Sequence, residues 1–206
     1  MSLPPVYLVD ASVYLFRAWF SMPDDFVNGA GQPTNAVYGF SGFLCSLLEQ
    51  TGAEHVAVAF DVSLASSFRN EIYPEYKANR DPAPEELKRQ FQQCRRYVRA
   101  LGVMEIASPR YEADDLIGTI ANKAASAGFK VVLVTGDKDF VQLVTDNATI
   151  WDPMKDEVID TDVVRQKFDV TPSQMIDVMG LSGDTSDNIP GVPGIGPKTA
   201  LELIKT

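Results

Sequence analysis

A single histidine, His55, and two cysteines, Cys45 and Cys94, are all that this chain of 206 residues carries of those residue types. The cysteines are too far apart for a zinc knuckle and too few for a disulfide framework, which points to a reducing compartment. His55 stands at the start of a short apolar run, where a satisfied structural histidine is expected, so no imidazole base is on offer. The longest nearly apolar stretch, residues 37–48, falls well short of the roughly 20 residues of a membrane span and carries Gly and Ser. The first residues show neither the basic region nor the long apolar run of a signal peptide. No Walker-type glycine loop occurs, which argues against ATP use. Positive charge is scarce too: Lys and Arg number 18 against 28 Asp and Glu, a net charge of −10. That balance argues against a simple basic coat for nucleic acid. What remains is an ordinary globular composition, 45% apolar and 22% charged, long enough for one large domain or one domain with a small appendage.

The charge is unevenly spread. Residues 1–68 hold one basic residue, Arg17, against six acidic ones, and residues 100–206 hold nine against seventeen. Residues 69–99 hold eight basic and five acidic residues, the only net-positive stretch. Its helical part reads equally well as a solvated face. The preceding run, Tyr73-Pro-Glu-Tyr-Lys-Ala-Asn-Arg-Asp81, interleaves aromatics with Lys77 and Arg80, a mixture suited to stacking on bases and pairing with phosphates.

Short apolar runs at 6–9, 56–60 and 131–134, with weaker ones at 103–107 and 149–151, predict strands. Helical patterns over 35–50, 84–101, 113–127 and 161–167 lie between them. Such alternation predicts an α/β fold, a mostly parallel central sheet flanked by helices. Asp10 and Asp61 end the first two strands and Asp137 follows the strongest, so three carboxylates reach the sheet edge where open α/β sheets bind ligands. Glu112, Asp114 and Asp115 cluster at a helix start, more acid than capping alone requires. Asp137 with Asp139, and Asp184 with Asp187, add two pairs. Nine such carboxylates repel one another unless hard divalent cations sit among them. Two ions about 4 Å apart would activate a water for phosphodiester hydrolysis.

The last third turns helical around Gly191-Val-Pro-Gly-Ile-Gly-Pro-Lys198. Gly191, Gly194 and Gly196 permit positive φ, and Pro197 suits a first helical position. Taken alone, this segment is either a helix cap with a turn or a set of backbone N–H groups open to a phosphate.

Taken together, Val6-Tyr-Leu-Val-Asp10 running into Tyr14-Leu-Phe-Arg-Ala18, Ala57-Val-Ala-Phe-Asp61, Phe68-Arg69, Tyr76-Lys-Ala-Asn-Arg80, Glu112-Ala-Asp-Asp115, Thr135-Gly-Asp-Lys-Asp139 and Gly183 through Gly196 resemble the bacterial 5′-nuclease family. These are the flap endonuclease-like 5′–3′ exonucleases, which include the N-terminal domain of DNA polymerase I. The resemblance covers almost the whole chain in the family's order. It implies a PIN-like (resolvase-like) core over residues 1–160 with a helical arch near 69–100. A helical DNA-binding region over 161–206 would carry a helix–three-turn–helix element near 175–205, truncated at its C-terminal end.

The resemblance also implies site residues. Asp10, Asp61, Glu112 and Asp114 would hold a first Mg²⁺; Asp115, Asp137, Asp139, Asp184 and Asp187 would complete a second, with Mn²⁺ as a substitute. Lys77 and Arg80 would meet the scissile phosphate, with Asp10 and Asp115 also counted as catalytic. Tyr76 would stack on a 5′ nucleotide, and Arg17, Arg69, Gly191, Gly194, Gly196 and Lys198 would touch DNA. The carbonyls of Val192 and Ile195 would hold a potassium ion. The implied substrate is DNA with 5′ flaps, nicks or 5′ ends, cut to 5′-phosphate products in replication and repair by a monomeric, cytoplasmic, nucleoid-associated bacterial protein. Removing the nine proposed ligands takes the net charge from −10 to −1, so most of the acidity would be the site itself. The rival readings are a PIN-like ribonuclease and a non-catalytic, structure-specific DNA-binding module.

Overall fold

The computed structural model describes residues 3–23, 25–62 and 67–205. Its centre is a six-stranded sheet: β1 (Val6–Asp10), β2 (His55–Asp61), β3 (Met104–Ser108), β4 (Val131–Val134), β5 (Ala148–Asp152) and β6 (Glu157–Ile159). The spatial order is β3-β2-β1-β4-β5-β6, parallel throughout except for β6, which turns back along β5. Strand order reverses between β1 and β4, and a parallel sheet opens its ligand crevice beside the carboxyl ends at such a switch. β4 reads Val-Val-Leu-Val because both of its faces are covered.

Two apolar layers flank the sheet. On one face, α1 (Ala11–Ser21), α2 (Asn35–Thr51) and α4 (Glu85–Ala100) pack against Val9, Val58, Phe60 and Val134. In α2 the buried Ala36, Phe40, Leu44 and Leu47 recur at helical spacing, and in α4 Leu87, Phe91, Cys94 and Val98 do the same. Fully burying such a Leu or Phe stabilises the fold by about 1.5–3 kcal/mol. α1 and α2 cross closely at Gly39, where a Cβ would lie 2.7 Å from the Ala18 Cβ. On the other face, α5 (Ala113–Ser126) buries Ala113, Ile117 and Ala121 against Leu8, Ala59 and Leu133.

α6 (Thr161–Phe168), α7 (Met175–Ser182) and α8 (Pro197–Lys205) do not form a core of their own. Their Val164, Met175, Val178 and Ala200 join the same apolar cluster as α5 and the sheet. α7 and α8 are joined by the two-residue strands β7 (Gly183–Asp184) and β8 (Ile189–Pro190), followed by the glycine-rich turn. Among the described residues, no helix is long and apolar enough to cross a membrane.

The predicted helical arch takes a different form. A one-turn α3 (Arg69–Ile72) is followed by turns over residues 74–79 and irregular chain to residue 84, and α4 is a core helix rather than part of an arch. Pro74, Pro82 and Pro84 withhold backbone donors and steer their preceding residues away from helix, which leaves a strap. The glycine expectation also needs correcting. Of Gly191, Gly194 and Gly196, Gly194 alone has a positive φ, +82°, whereas Gly191 is required by contact: its Cβ would lie 2.4 Å from the Ser182 carbonyl. A Cβ at Gly196 would meet nothing within 4 Å, and its φ is not left-handed.

Candidate active site

The carboxyl ends of β1, β2 and β4 and the starts of two helices deliver acidic side chains to one crevice of about 650 Å³. Asp10 is 3% exposed at the end of β1. It caps α1 by accepting from the Ser12 N–H at 3.1 Å, and its other oxygen accepts from the Thr135 hydroxyl at 3.1 Å. Asp61 ends β2 and accepts from the Ser12 hydroxyl at 2.6 Å and the Ala113 N–H at 2.8 Å. The second of these bonds ties the strand end to the start of α5. Glu112 and Asp114 project from that helix start, while Asp137 and Asp139 come from the 3-10 turn Lys138–Leu143 and its cap. Asp184 and Asp187 arrive from the loop between β7 and β8.

Eight of the nine expected ligands therefore line this crevice. Asp115 does not. It lines an adjoining cavity together with Glu112, Asp114, Asp139 and Asp187, where both of its oxygens accept from the Arg69 guanidinium at 2.8 Å and one also accepts the Glu112 N–H at 3.0 Å. Arg69 is thus a structural clamp on α5 in this state.

The electrostatics are those of a site short of positive charge. Burial, reinforced by Asp61 and Asp137, pushes the Asp10 carboxyl up to about 7. Burial plus Asp10 and Asp61 pushes Asp114 up to about 8, and burial plus Asp137 and Asp184 pushes Asp139 up to about 6. Although burial opposes it, hydrogen bonds from Ser186 hold Asp184 below the ordinary carboxylate range. The Asp139 Oδ1 atom is buried with no hydrogen-bond partner. An all-oxygen donor set of mutually repelling carboxylates, with an orphaned acceptor among them, fits a hard divalent cation. Among the described residues, no three of these side chains close into a ready-made metal cage. Mutual repulsion opposes such closure, and two protein cations already hold part of the set.

Those cations come from the strap. Lys77 Nζ donates to Glu112 Oε2 at 2.7 Å and lies 3.9 Å from Asp187, while Arg80 pairs with Asp187. Backbone and amide contacts fasten the strap to the β7–β8 loop: Lys77 N–H to the Asp187 carbonyl at 2.9 Å, Asn79 to the Thr185 carbonyl at 2.8 Å, and Asn188 to the Glu75 carbonyl at 2.7 Å. Lys77 and Asn188 both take left-handed backbone, φ +57° each, which non-glycine residues adopt only when their surroundings impose it. Tyr76 departs from expectation. It is 5% exposed, so its ring has no open face for a base to stack on. Its hydroxyl instead lies 3.1 Å from Glu112 and 2.9 Å from Asp187, bridging two carboxylates that would otherwise repel.

The remaining expected residues are more dispersed. Arg17 is exposed on α1 and Lys198 is exposed in the first turn of α8, neither on the crevice wall. The Val192 carbonyl already accepts the Ile195 N–H at 2.9 Å. His55 is exposed at the opposite end of β2 with its ring edge-on to Phe129, in keeping with a structural role. Sequence reasoning missed the apolar part of the crevice lining, formed by Val13, Phe16, Trp19 and Phe20 of α1. The i, i+3, i+6, i+7 spacing of these residues was the available signal. Ser12 and Thr135, which orient Asp61 and Asp10, were also missed; each sits within two residues of a site carboxylate.

Comparison with known proteins adds an independent line. The family described as "5'-3' exonuclease, N-terminal resolvase-like domain" matches residues 5–169, and "5'-3' exonuclease, C-terminal SAM fold" matches residues 170–206. DNA polymerase I of Mycobacterium tuberculosis is 43% identical over 98% of this chain, and that of Pseudomonas aeruginosa 45% over 99%. The chain spans only 23% and 22% of those polymerases. A 5'-3' exonuclease of Aquifex aeolicus is 39% identical over 97% of this chain and 68% of its own length. Among solved structures, the T5 5'-exonuclease with bound zinc superposes with a TM-score of 0.78 at 26% identity, covering 98% of this chain and 74% of that one. Flap endonuclease-1 from Methanococcus jannaschii shares the fold, with a TM-score of 0.62 at 18% identity over 99% of this chain and 71% of that one.

Proposed function

Because the chain belongs to the 5'-3' exonuclease family, we propose that its crevice hydrolyses DNA phosphodiesters at 5′ ends and flaps, leaving 5′-phosphate and 3′-hydroxyl products. One observation carries this reading: eight carboxylates converge on the switch point of the sheet, and two strap cations, Lys77 and Arg80, reach over them. Asp10, Asp61, Glu112 and Asp114 suit a first divalent ion, and Asp137, Asp139, Asp184 and Asp187 a second. Mg²⁺ is the proposed ion and Mn²⁺ its substitute. When bound, such ions supply a water of lowered pKa and neutralise charge developing on the phosphoryl oxygens. The Val192 and Ile195 carbonyls are the candidates for a potassium ion at the hairpin.

The chain's own residues do the rest. Asp10 and Asp61 are held in fixed rotamers by Ser12, Thr135 and the Ala113 N–H, so the donor set is oriented before substrate arrives. Lys77 exchanges Glu112 for a phosphate oxygen, and Arg80 exchanges Asp187 for another, placing both cations where negative charge grows. Tyr76 keeps Glu112 and Asp187 in register through its hydroxyl. Asp115 acts at one remove, holding Arg69 and the start of α5. Gly194 and the first turn of α8, with Lys198, present N–H groups and a cation to the duplex backbone.

DNA is the proposed partner, bound by a monomer in the cytoplasm without ATP. A ribonuclease would use the same sheet and a similar acidic edge, so substrate sugar decides between the two. Matched DNA and RNA flaps in Mg²⁺ make the comparison, with preferential DNA cleavage expected. Preference for RNA would overturn the assignment.

A further inference from the structure

Two groups of residues that line the acidic crevice come from outside the sheet. α1 supplies Val13, Phe16, Trp19 and Phe20, and the root of the strap supplies Asp81, Pro82, Ala83 and Pro84, with Leu87 of α4 just beyond. Pro82 and Pro84 fix their own φ angles and restrict the residues before them, so the root is stiff where it runs into α4. The strap is thus held at two ends, by the β7–β8 loop and by α4. A shift of α4 would pull Lys77 and Arg80 against their loop contacts. Apolar packing is non-directional and does not by itself fix one seating of α4. Its contact with α1 is of that kind, since Phe16 meets Phe91 edge to face with ring centres 5.6 Å apart.

A buried amide pair supplies the missing direction. Gln90, in the second turn of α4, is wholly buried, and Asn35, the first residue of α2, is 3% exposed. Gln90 Nε2 donates to Asn35 Oδ1 at 3.0 Å, and Gln90 Oε1 accepts the Val37 N–H at 3.1 Å. Asn35 Nδ2 donates to the Trp19 carbonyl at 3.0 Å. All four polar side-chain atoms are therefore bonded. The backbone groups they satisfy belong to helix ends, which lack partners within their own helix. Val37 lies in the first turn of α2, whose cap residue Thr34 makes no side-chain bond, and Trp19 lies in the last turn of α1. One relay thus joins three helices and ends on a residue of the crevice lining. An apolar pair would fill the same space without the cost of desolvating two amides. Directional bonds do what such a pair does not, holding α4 in one register. α1 and α2 already lock together at Gly39, so the seating of α4 is what the relay sets.

We propose that Gln90 and Asn35 are positioning residues for the strap. By seating α4 on the α1–α2 pair, they fix the root of the strap and so where Lys77 and Arg80 stand over the carboxylates, which decides which phosphodiester is cut. The inference rests on the nuclease reading above. It goes beyond that reading by giving the choice of scissile bond to a buried relay that reaches neither the carboxylates nor the strap cations directly.

Two measurements test this together: cut-site mapping on a 5′-labelled DNA flap in Mg²⁺, and limited trypsin digestion without DNA. The unaltered chain is expected to cut at one main phosphodiester. Gln90→Met keeps the side chain's bulk and removes both of its bonds. It is expected to spread cleavage over neighbouring phosphodiesters and to slow single turnover about tenfold, with flap binding in Ca²⁺ little changed. Asn35→Ala should do the same, and the two together no more than either, because they break one relay. Val164→Ala, a truncation in the apolar cluster of α5 and the sheet, controls for lost stability. It should lower the thermal midpoint and leave the cut site where it is. The trypsin arm needs no turnover: cleavage after Lys77 and Arg80 should run severalfold faster in Gln90→Met than in Val164→Ala. An unmoved cut site or an unchanged trypsin rate in Gln90→Met, the same spreading in Val164→Ala, or additive losses in the double variant would overturn the proposal. Absence of cleavage by the unaltered chain in Mg²⁺ and Mn²⁺ would instead strike the nuclease reading, and the trypsin comparison then decides by itself whether the relay holds the strap.

Discussion

At the scale of single residues, the site is defined by carboxylates that stay close despite repelling one another. Asp10 illustrates how this is managed, because two neutral donors, the Ser12 N–H and the Thr135 hydroxyl, fix its orientation without neutralising it. Asp10→Ala is expected to cut turnover by orders of magnitude while retaining fold and DNA binding. Steady-state cleavage alongside circular dichroism and anisotropy checks this, and unchanged turnover would remove Asp10 from the site. Lys77→Ala is expected to lower the single-turnover rate far more than it weakens duplex binding, and equal losses would make Lys77 a docking residue only. Asp10 and Asp61 were legible in the sequence because a strand end and an acid stand side by side there. The commitment of Asp115 to Arg69 was not, since the partners lie 46 residues apart and only the fold brings them together. The burial of Tyr76 was hidden for the same reason: its carboxylate partners are 36 and 111 residues away.

At the scale of elements, the five expected strands and four expected helices followed their apolar periodicity closely, whereas α1 and β6 were not foreseen and the strap took another form. Helical arch geometry was expected over residues that include Pro74, Pro82 and Pro84, and these leave turns instead. The strap is held shut by Asn79, Asn188 and the Lys77 N–H against the β7–β8 loop. Replacing Asn79 and Asn188 together by Ala should loosen it, with the Lys77 and Arg80 contacts still in place. Faster tryptic cleavage after Lys77 and Arg80, with the rest of the chain still protected, is the expected result, and an unchanged cleavage rate would show that these amides do not fasten it. The glycine-rich connection carries its own constraint, because a side chain at 191 would run into the Ser182 carbonyl. Gly191→Ala is expected to destabilise the α7–α8 pair by about 3 kcal/mol in chemical denaturation.

At the scale of the whole molecule, acidity, metal dependence and stability are one subject. Asp10, Asp114 and Asp139 are raised from 3.8 to about 7, 8 and 6 in the folded chain. A carboxyl whose folded pKa is raised binds its proton more tightly folded than unfolded. Its contribution to stability is therefore fully present below the unfolded value and is lost as pH rises through the folded one. Without divalent ions, the thermal midpoint should accordingly fall between about pH 5 and pH 8 through these groups. Saturating Mg²⁺, which binds the ionised form, should raise the midpoint most at the alkaline end. A metal-induced rise that is larger at pH 5 than at pH 8 would contradict the coupling. The merging of α6, α7 and α8 with the core of the sheet was the other feature hidden in the sequence, because Val164, Val178 and Ala200 read locally as ordinary helix positions.

The most direct test of the central claim is cleavage of a 5′-labelled DNA flap by this chain in EDTA and in Mg²⁺. Release of short 5′ fragments in Mg²⁺, abolished by EDTA and by Asp10→Ala, is the predicted result. A flap that is bound but left intact in both Mg²⁺ and Mn²⁺ would contradict it and leave a DNA-binding module in its place.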